Sequence, residues 1–534
     1  MKKIVLVSTV FVLLLGLLSF TGCAGNPESA APAPVAGAQA PAAAEPAAPA
    51  TQDNDPEPEE HTEIIEFTYV HVISGRPVPP GQAEVDAAIN EILEAEHGLR
   101  MNRLIIELGN WSEQKSAMLM AREPIDLIGN SPHAGTSFSV MAPQGHFTPL
   151  DDLIQRYGQG IIQTLGPILD AGRVGDVLYG VPNHRILVTR QYLFMRQDIL
   201  EELDLFEFAQ NAQSLEDLEV IFTAVRDYTD LFPLGAGVLG DVKLNNFTFA
   251  EGNNFSDWTV HDPLGDSLHI IQALPGNRVV NHFATDNFRR QFEITRDWME
   301  RGFIHPDVAI IGEHPAFYIR NNLAFGYFVG TEIGGTLNHS ILSETEMFPL
   351  FIAPGTGITT GFARNWSHSI PSASREPEAG MQFLNLAFTD PVIADLLFIG
   401  LEGRDYVIAP DGTAAFPEGI DSGTVPYRTN DHVLPHQLIM RPVYGQYPNL
   451  RDLGRAENER IGPTPFLGFA ADLSEIQHEI IAVSGVVDQF RTQIISGTAG
   501  PEVLDEFLSR LEAVGVNRIV DEYQRQLDEW LAGR

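Results

Sequence analysis

Between residues 64 and 128, strand-like and helix-like stretches alternate, and this alternation limits the possible folds more than any other feature. Residues 64–74, IIEFTYVHVIS, are rich in the β-branched and aromatic side chains that suit a strand. After the turn-like GRPVPPG, Val85, Ile89, Ile92 and Leu93 recur at helical spacing over 84–97. Residues 100–108 read as a second strand and Gly109-Asn110-Trp111 as a turn, with Ser112 placed to cap a helix reaching Arg122. A short apolar strand over 125–128 then runs into Gly129-Asn130-Ser131-Pro132. Strand, helix, strand, helix, strand predicts a parallel sheet covered by helices, an α/β fold. In such sheets ligands sit beyond the carboxyl ends of the strands, which brings Trp111, Asn130 and Ser131 towards a candidate site.

Ahead of this body lies a different kind of sequence. Residues 1–23 open with Lys2 and Lys3, run apolar from Ile4 to about Leu18, and end at Cys23, the only cysteine of the 534 residues. A charged start followed by an apolar run describes an export signal, and the run is shorter than the roughly 20 residues a stable membrane span needs. Phe20-Thr21-Gly22-Cys23 resembles the bacterial lipobox, which implies a lipoprotein signal over 1–22 and lipidation of Cys23. One cysteine leaves no intramolecular disulfide, so the fold rests on its core. Residues 23–62 are dominated by alanine, proline and acidic residues, a composition that stays unfolded and makes an extended spacer. The acidic stretch 53–60 lacks the spaced carboxylates and glycine of a calcium loop.

Residues 1–22 carry two lysines and no acid, so the remainder holds 31 basic against 71 acidic side chains, a formal charge of −40. Such a surface repels nucleic acid and anionic lipid head groups, and both are discounted as partners. The roughly 470 residues after the spacer are ample for two domains. Within them, 214–230 reads as an amphipathic helix and 287–302 as another, closed by Gly302.

Further along, local patterns accumulate that resemble one family. Gly109-Asn110-Trp111, then Lys115 and Glu123-Pro124-Ile125-Asp126-Leu127, is similar to a "G-D-W…K…E-x-P-D-[IL]" stretch, with Asn110 where aspartate is common and Ile125 inserted. Leu150-Asp151-Asp152-Leu153-Ile154 with Tyr157-Gly158 resembles "pLDdLi-x-x-Y-G". Tyr179-Gly180-Val181-Pro182 and Arg196-Gln197-Asp198-Ile199-Leu200 resemble "Y-G-[IV]-P…[YF]-R-x-D-[IL]-L". Trp298 through Pro306-Asp307, Pro377-Glu378 with Met381 and Phe383-Leu384-Asn385, and Glu402-Gly403-Arg404-Asp405-Tyr406 add three more. In this order, across residues 64–534, they resemble the extracellular solute-binding lipoproteins of bacterial ABC importers, of the large family-1 type associated with carbohydrates.

The resemblance implies a type II periplasmic-binding-protein fold, with two discontinuous α/β lobes over 63–181 plus 362–440 and 182–361 plus 441–534. Crossings are expected near 179–183, 355–364 and 436–445. It further implies a monomeric receptor, lipid-anchored through Cys23 to the outer face of the cytoplasmic membrane. Such a receptor closes about a hinge on a sugar or oligosaccharide and delivers it to the permease subunits. No catalysis, cofactor or metal is implied.

A sugar presents flat C–H faces that aromatic rings stack on and hydroxyls that polar side chains bind. Trp111 at a turn, Trp258 in a polar loop and Trp366 between Asn365 and Ser367 are the stacking candidates, whereas Trp298 and Trp530 lie on helices with core-like spacing. Asn130, Ser131 and Asn183 follow strands, and Arg404 and Tyr406, flanking Asp405, come from a turn that the resemblance puts near the cleft. Asp126 is assigned to holding loop backbone. Two alternatives stay open. A tethered glycoside hydrolase needs two carboxylates about 5–10 Å apart, which 71 acids neither reveal nor exclude. A receptor for peptides or another solute, serving a sensor kinase, is the other. No HExxH, G-x-S-x-G or metal-ligand cluster is present, and His432 and His436, though four apart, lie in a Pro-rich region without a third ligand.

Overall fold

The computed structural model describes residues 64–132, 138–235, 247–248, 255, 259–260, 262–265, 270–311, 314–353 and 357–534. The expectations for the 1–22 signal, Cys23, the 23–62 spacer and Trp258 fall outside these residues.

The opening alternation becomes β1 (Ile65–Ile73), α1 (Gln82–His97), β2 (Leu99–Glu107), α2 (Leu108–Met120) and β3 (Leu127–Asn130). β1 runs parallel to both neighbours, with Ile65 opposite Leu99, Ile73 opposite Glu107 and Tyr69 opposite Leu127. Parallel pairing needs a crossover, and α1 supplies it by burying Val85, Ile89 and Leu93 on one stripe. Gly98 ends the helix at φ 64°, a left-handed geometry that glycine adopts without steric cost.

The second helix departs from expectation. It starts at Leu108 directly after β2, so Ser112 is not its cap and Trp111 is helical. Burial of Trp111, Lys115, Met118 and Leu119 along one side draws the extra residues into the helix and outweighs the capping preference of Ser112. The third strand likewise shifts two residues on, to Leu127–Asn130. Asp126, just before it, accepts from the backbone N–H groups of Thr68, Arg375 and Glu376 and from the Ser374 hydroxyl, so it does hold loop backbone.

The chain continues through β4 (Val181–Pro182), β5 (Thr189–Arg196), β6 (Phe232–Leu234), β7 (Ala324–Glu332), β8 (Met347–Ala353) and β9 (Ser367–Ser369). β4 and β9 return to the first sheet, giving the order β2-β1-β3-β9-β4, and the other four form a second sheet in the order β8-β5-β7-β6. The fold is thus α/β with two main sheets, and the chain passes from one to the other within 183–188 and back between β8 and β9.

Each sheet has its own core. The first gathers Phe67, Tyr69, Leu127 and Ile128 with Phe383, Leu384, Leu397 and Tyr427. On the second sheet, α3 (Leu215–Tyr228) and α4 (Asp286–Glu300) cover one face. α3 opens with a capping box, in which Ser214 and Asp217 satisfy each other's backbone N–H groups. Trp298 on α4 is fully buried, meets Phe222 edge-on at 5.2 Å and donates its indole N–H to Glu219 at 2.9 Å. It is a core residue, and removing such a ring costs about 3–5 kcal/mol.

Later helices are α5 (Thr360–Arg364), α6 (Pro377–Thr389), α7 (Leu450–Ile461), α8 (Gln477–Ile495), α9 (Pro501–Ala513) and α10 (Val516–Ala532). The last three build a third core around Phe490, Phe507 and Tyr523 and join it to Phe283 and Phe288. Gly515 separates α9 from α10 at φ 98°, and Trp530 packs edge-on against Phe469. Among the described residues no single helix is long and apolar enough to cross a membrane.

Candidate functional site

Where the chain leaves the first sheet, buried polar groups concentrate. Asn183, immediately after β4, is fully buried and donates its backbone N–H to the Trp366 carbonyl at 2.9 Å and its Nδ2 to the His432 carbonyl at 3.2 Å. Its Oδ1 lies 2.8 Å from His368 Nδ1, and His368 Nε2 lies 2.9 Å from the Tyr69 hydroxyl. Because an amide oxygen only accepts, His368 carries its proton on Nδ1, and its Nε2 accepts the hydrogen bond that the Tyr69 hydroxyl donates. Burial holds the His368 imidazole down at about 3 and pushes the Tyr69 phenol well up, so the chain is neutral throughout. One asparagine thus ties β1, β9, the 432 loop and the first passage together.

A charged group adjoins it. Arg185 is buried, donates to Glu332 Oε1 at 3.0 Å and to the Phe362 carbonyl at 3.2 Å, and lies 4.3 Å from the centroid of the Phe362 ring. Glu332 ends β7, in the second sheet, so this pair links the two passages to that sheet. Burial raises the Glu332 carboxyl, against the pull of Arg185, and nearby Asp431 raises it further. Burial also acts to raise Asp431, but Arg451, bonded to it at 3.0 Å, and His432 outweigh that and hold it far below the usual carboxylate range. His432 meets the half-buried Trp366 edge-on at 5.2 Å. Trp366, His432, Glu332 and Asp431 therefore combine an aromatic face with hydrogen-bonding groups of both kinds, which suits a ligand with apolar faces and hydroxyl edges.

The sequence-derived candidates divide. Asn183 and Trp366 belong to this junction. Asn130 and Ser131 are close by, at the carboxyl end of β3, and both are buried. Asn130 accepts from Lys115 Nζ at 2.6 Å and donates to Ser369 Oγ at 2.9 Å and Ser367 Oγ at 3.2 Å. Trp111 is fully buried beneath this group with Lys115 Nζ 5.7 Å from its ring centroid, so its face packs inside the first core. Arg404 bonds both oxygens of Asp405 at 3.0 and 2.7 Å, the Gly81 carbonyl at 3.3 Å and Glu84 at 3.7 Å. Its partners are thus its own turn and the start of α1, and Tyr406 packs into the first core. His436 pairs with His184 at 2.8 Å and with the Phe388 carbonyl at 2.7 Å, while His432 faces Trp366, so the two histidines serve different contacts. Among the described residues no cluster of His, Cys, Asp or Glu could hold a metal. Glu332, Arg185, Asp431 and His368 carry no local signal in the sequence, since each acts through partners more than 100 residues away or in another element.

The family model "Domain of unknown function (DUF3502)" matches residues 465–532, the three C-terminal helices with the approach to them. A carbohydrate ABC transporter substrate-binding protein of Streptococcus pneumoniae serotype 4 is 22% identical over 475 residues, covering 85% of this chain and 89% of that protein. The crystal structure of the N-glycan transport solute binding protein NgtS from Streptococcus pneumoniae superposes with a TM-score of 0.72 at 19% identity, covering 88% of this chain and 99% of that one. This is the fold of the ABC-transporter solute-binding proteins. A solute binding protein from Bifidobacterium longum infantis, described as HMO-binding, shares it with a TM-score of 0.60 at 15% identity, over 87% and 99% of the two chains. The α/β expectation and the resemblance to sugar-type solute-binding proteins both hold.

Proposed function

We propose that the protein is a membrane-tethered receptor that captures an oligosaccharide between its two lobes and delivers it to an ABC permease. The observation that carries this is the junction itself, where half-buried Trp366 meets His432, which in turn neighbours Asp431 and acts on Glu332, at the two passages of a solute-binding fold. The relatives described by name as sugar-binding or sugar-transporting support carbohydrate as the solute class. In this reading the lobes are 63–181 plus 362–440 and 182–361 plus 441–534, and they close by rotation about the passages. The protein works as a monomer held by a lipid on Cys23 at the outer face of the cytoplasmic membrane, and it leaves its ligand chemically unchanged.

Thermal-shift and calorimetric screening against an oligosaccharide panel tests this directly. The expected outcome is a ligand that raises the melting temperature and is recovered intact. Hydrolysis of that ligand would favour a glycosidase, and a response to peptides alone would overturn the carbohydrate assignment.

A further inference from the structure

Three buried guanidinium groups among the described residues come with carboxylates. Arg103 has Asp86, Arg185 has Glu332 and Arg451 has Asp431. Arg364 breaks the pattern. It is the last residue of α5, within the second passage between the sheets and two residues before Trp366. Only 8% of it is exposed, yet its Nε and Nη2 have no hydrogen-bond partner among the described residues. Among the described residues the ring of Phe138 lies over it, its centroid 6.0 Å away on the first-core side. Burial lowers its pKa to about 10, opposed by the field of Tyr523. In a chain with 71 acids and 33 bases, a buried cation with no acid paired to it among the described residues stands out.

The two orphan nitrogens are not an arbitrary pair. Nε–H and one N–H of Nη2 point the same way from the guanidinium plane, and this side-on edge matches the two oxygens of a carboxylate. A hydroxyl pair would satisfy the donors and leave the charge uncompensated, whereas a carboxylate does both. We infer that Arg364 is the anchor for an acidic sugar, receiving the carboxylate of a uronic or sialic acid residue of the ligand through its side-on edge. The inference rests on the carbohydrate reading above and narrows it to glycans carrying one such group. Because the net charge of the protein repels anions at long range, recognition is local, and the preference is for a single carboxylate rather than for a polyanion.

The experiment is isothermal titration of the whole protein with matched pairs of oligosaccharides, one neutral and one identical except for a terminal glucuronic or sialic acid, at fixed ionic strength. The wild type should bind the acidic member about tenfold more tightly or better. Arg364→Gln should lose that preference while its affinity for the neutral member stays within about threefold. Arg364→Lys, which keeps the charge but lacks the side-on edge, should retain only part of the preference and serves in place of the glutamine variant if that variant does not fold. Equal affinity of the wild type for both members overturns the acidic-sugar inference and leaves the receptor reading intact. Preference surviving in Arg364→Gln overturns it too, and binding of neither member to the wild type overturns both readings.

Discussion

Lys115 offers a quantitative test of how the first core is built. It is fully buried on α2, with Nζ 2.6 Å from Asn130 Oδ1 and about equally far from two aromatic rings, 5.7 Å from Trp111 and 5.6 Å from Phe147. Burial lowers its ammonium from 10.5 to about 7. That fall corresponds to about 5 kcal/mol between protonation states, as an order of magnitude. The unfolded chain keeps the proton up to pH 10.5 and the folded one releases it near 7, so between those values the unfolded state binds more protons. Stability therefore rises with pH across that window, by at most about 1.4 kcal/mol per pH unit. Tyr69 and Tyr427, whose phenols burial raises, act in the opposite sense once pH exceeds their ordinary value of 10, so the clean range ends below it. Lys115→Met keeps much of the volume and abolishes the linkage, while orphaning one Asn130 oxygen at a cost of about 1–3 kcal/mol. Urea unfolding followed by tryptophan fluorescence at pH 7, 8 and 9 should show wild-type stability climbing by about 2–3 kcal/mol and the variant flat. Parallel profiles for the two proteins would refute the reasoning.

Other outcomes follow from the same structure. Trp366→Ala should weaken sugar affinity by about tenfold or more in calorimetry, while circular dichroism stays native; unchanged affinity would remove its stacking role. Arg404→Ala should cost about 1–3 kcal/mol in thermal unfolding, because Asp405 then loses its bidentate partner, and should leave sugar affinity within about twofold. His184 and His368, held down at about 3, and His436, at about 4, stay neutral when folded but take protons below pH 6.5 when unfolded, so the melting temperature should fall as pH drops from 6.5 towards 4. His368→Gln should reduce that slope, and an unchanged slope would count against a neutral His368.

The parts of the fold that depend on local pattern are legible in the sequence itself. The spacing of Val85, Ile89 and Leu93, the β-branched run of β1 and the amphipathic stretch opening at Ser214 are properties of short windows, and each specifies the right element. Local preference misleads where distant packing overrides it. Ser112 has good capping chemistry, but the chance to bury Trp111 starts the helix five residues earlier, with Glu107 at the cap position. Arg404 illustrates the same limit at the site. A turn bearing Arg, Asp and Tyr has the composition of a sugar contact, and only the three-dimensional position of Gly81 and Glu84 shows where its donors are committed. Asn183 and Trp366 are legible because they flank strands next to a passage, whereas Glu332 and Asp431 are two acids among 71 with no neighbouring motif.

The junction between the two sheets combines a closed, neutral side with an ionic one. On the first-sheet side the Tyr69–His368–Asn183 chain is neutral, fully buried and closed, with every donor matched to an acceptor, so it holds β1, β9 and the first passage in one arrangement. On the second-sheet side the contacts are ionic and partly open to solvent, with the Glu332 side chain 29% and the Asp431 side chain 17% exposed. The Arg185 and Arg451 side chains in these pairs are buried, only 4% and 7% exposed, so breaking a pair outright would cost about 3–5 kcal/mol, whereas a ligand hydroxyl can add to the solvent-facing edge of either carboxylate without breaking it. Breaking the neutral chain would likewise orphan buried groups, at about 1–3 kcal/mol each. Ligand hydroxyls should then be received at the exposed carboxylate edges of Glu332 and Asp431, with the ion pairs and the Asn183 contacts both kept intact. The asymmetry puts solvent-facing acceptors on the Trp366 side and closed, neutral contacts behind it, the order a cleft needs if its aromatic platform is to stay in place while its rim meets the ligand.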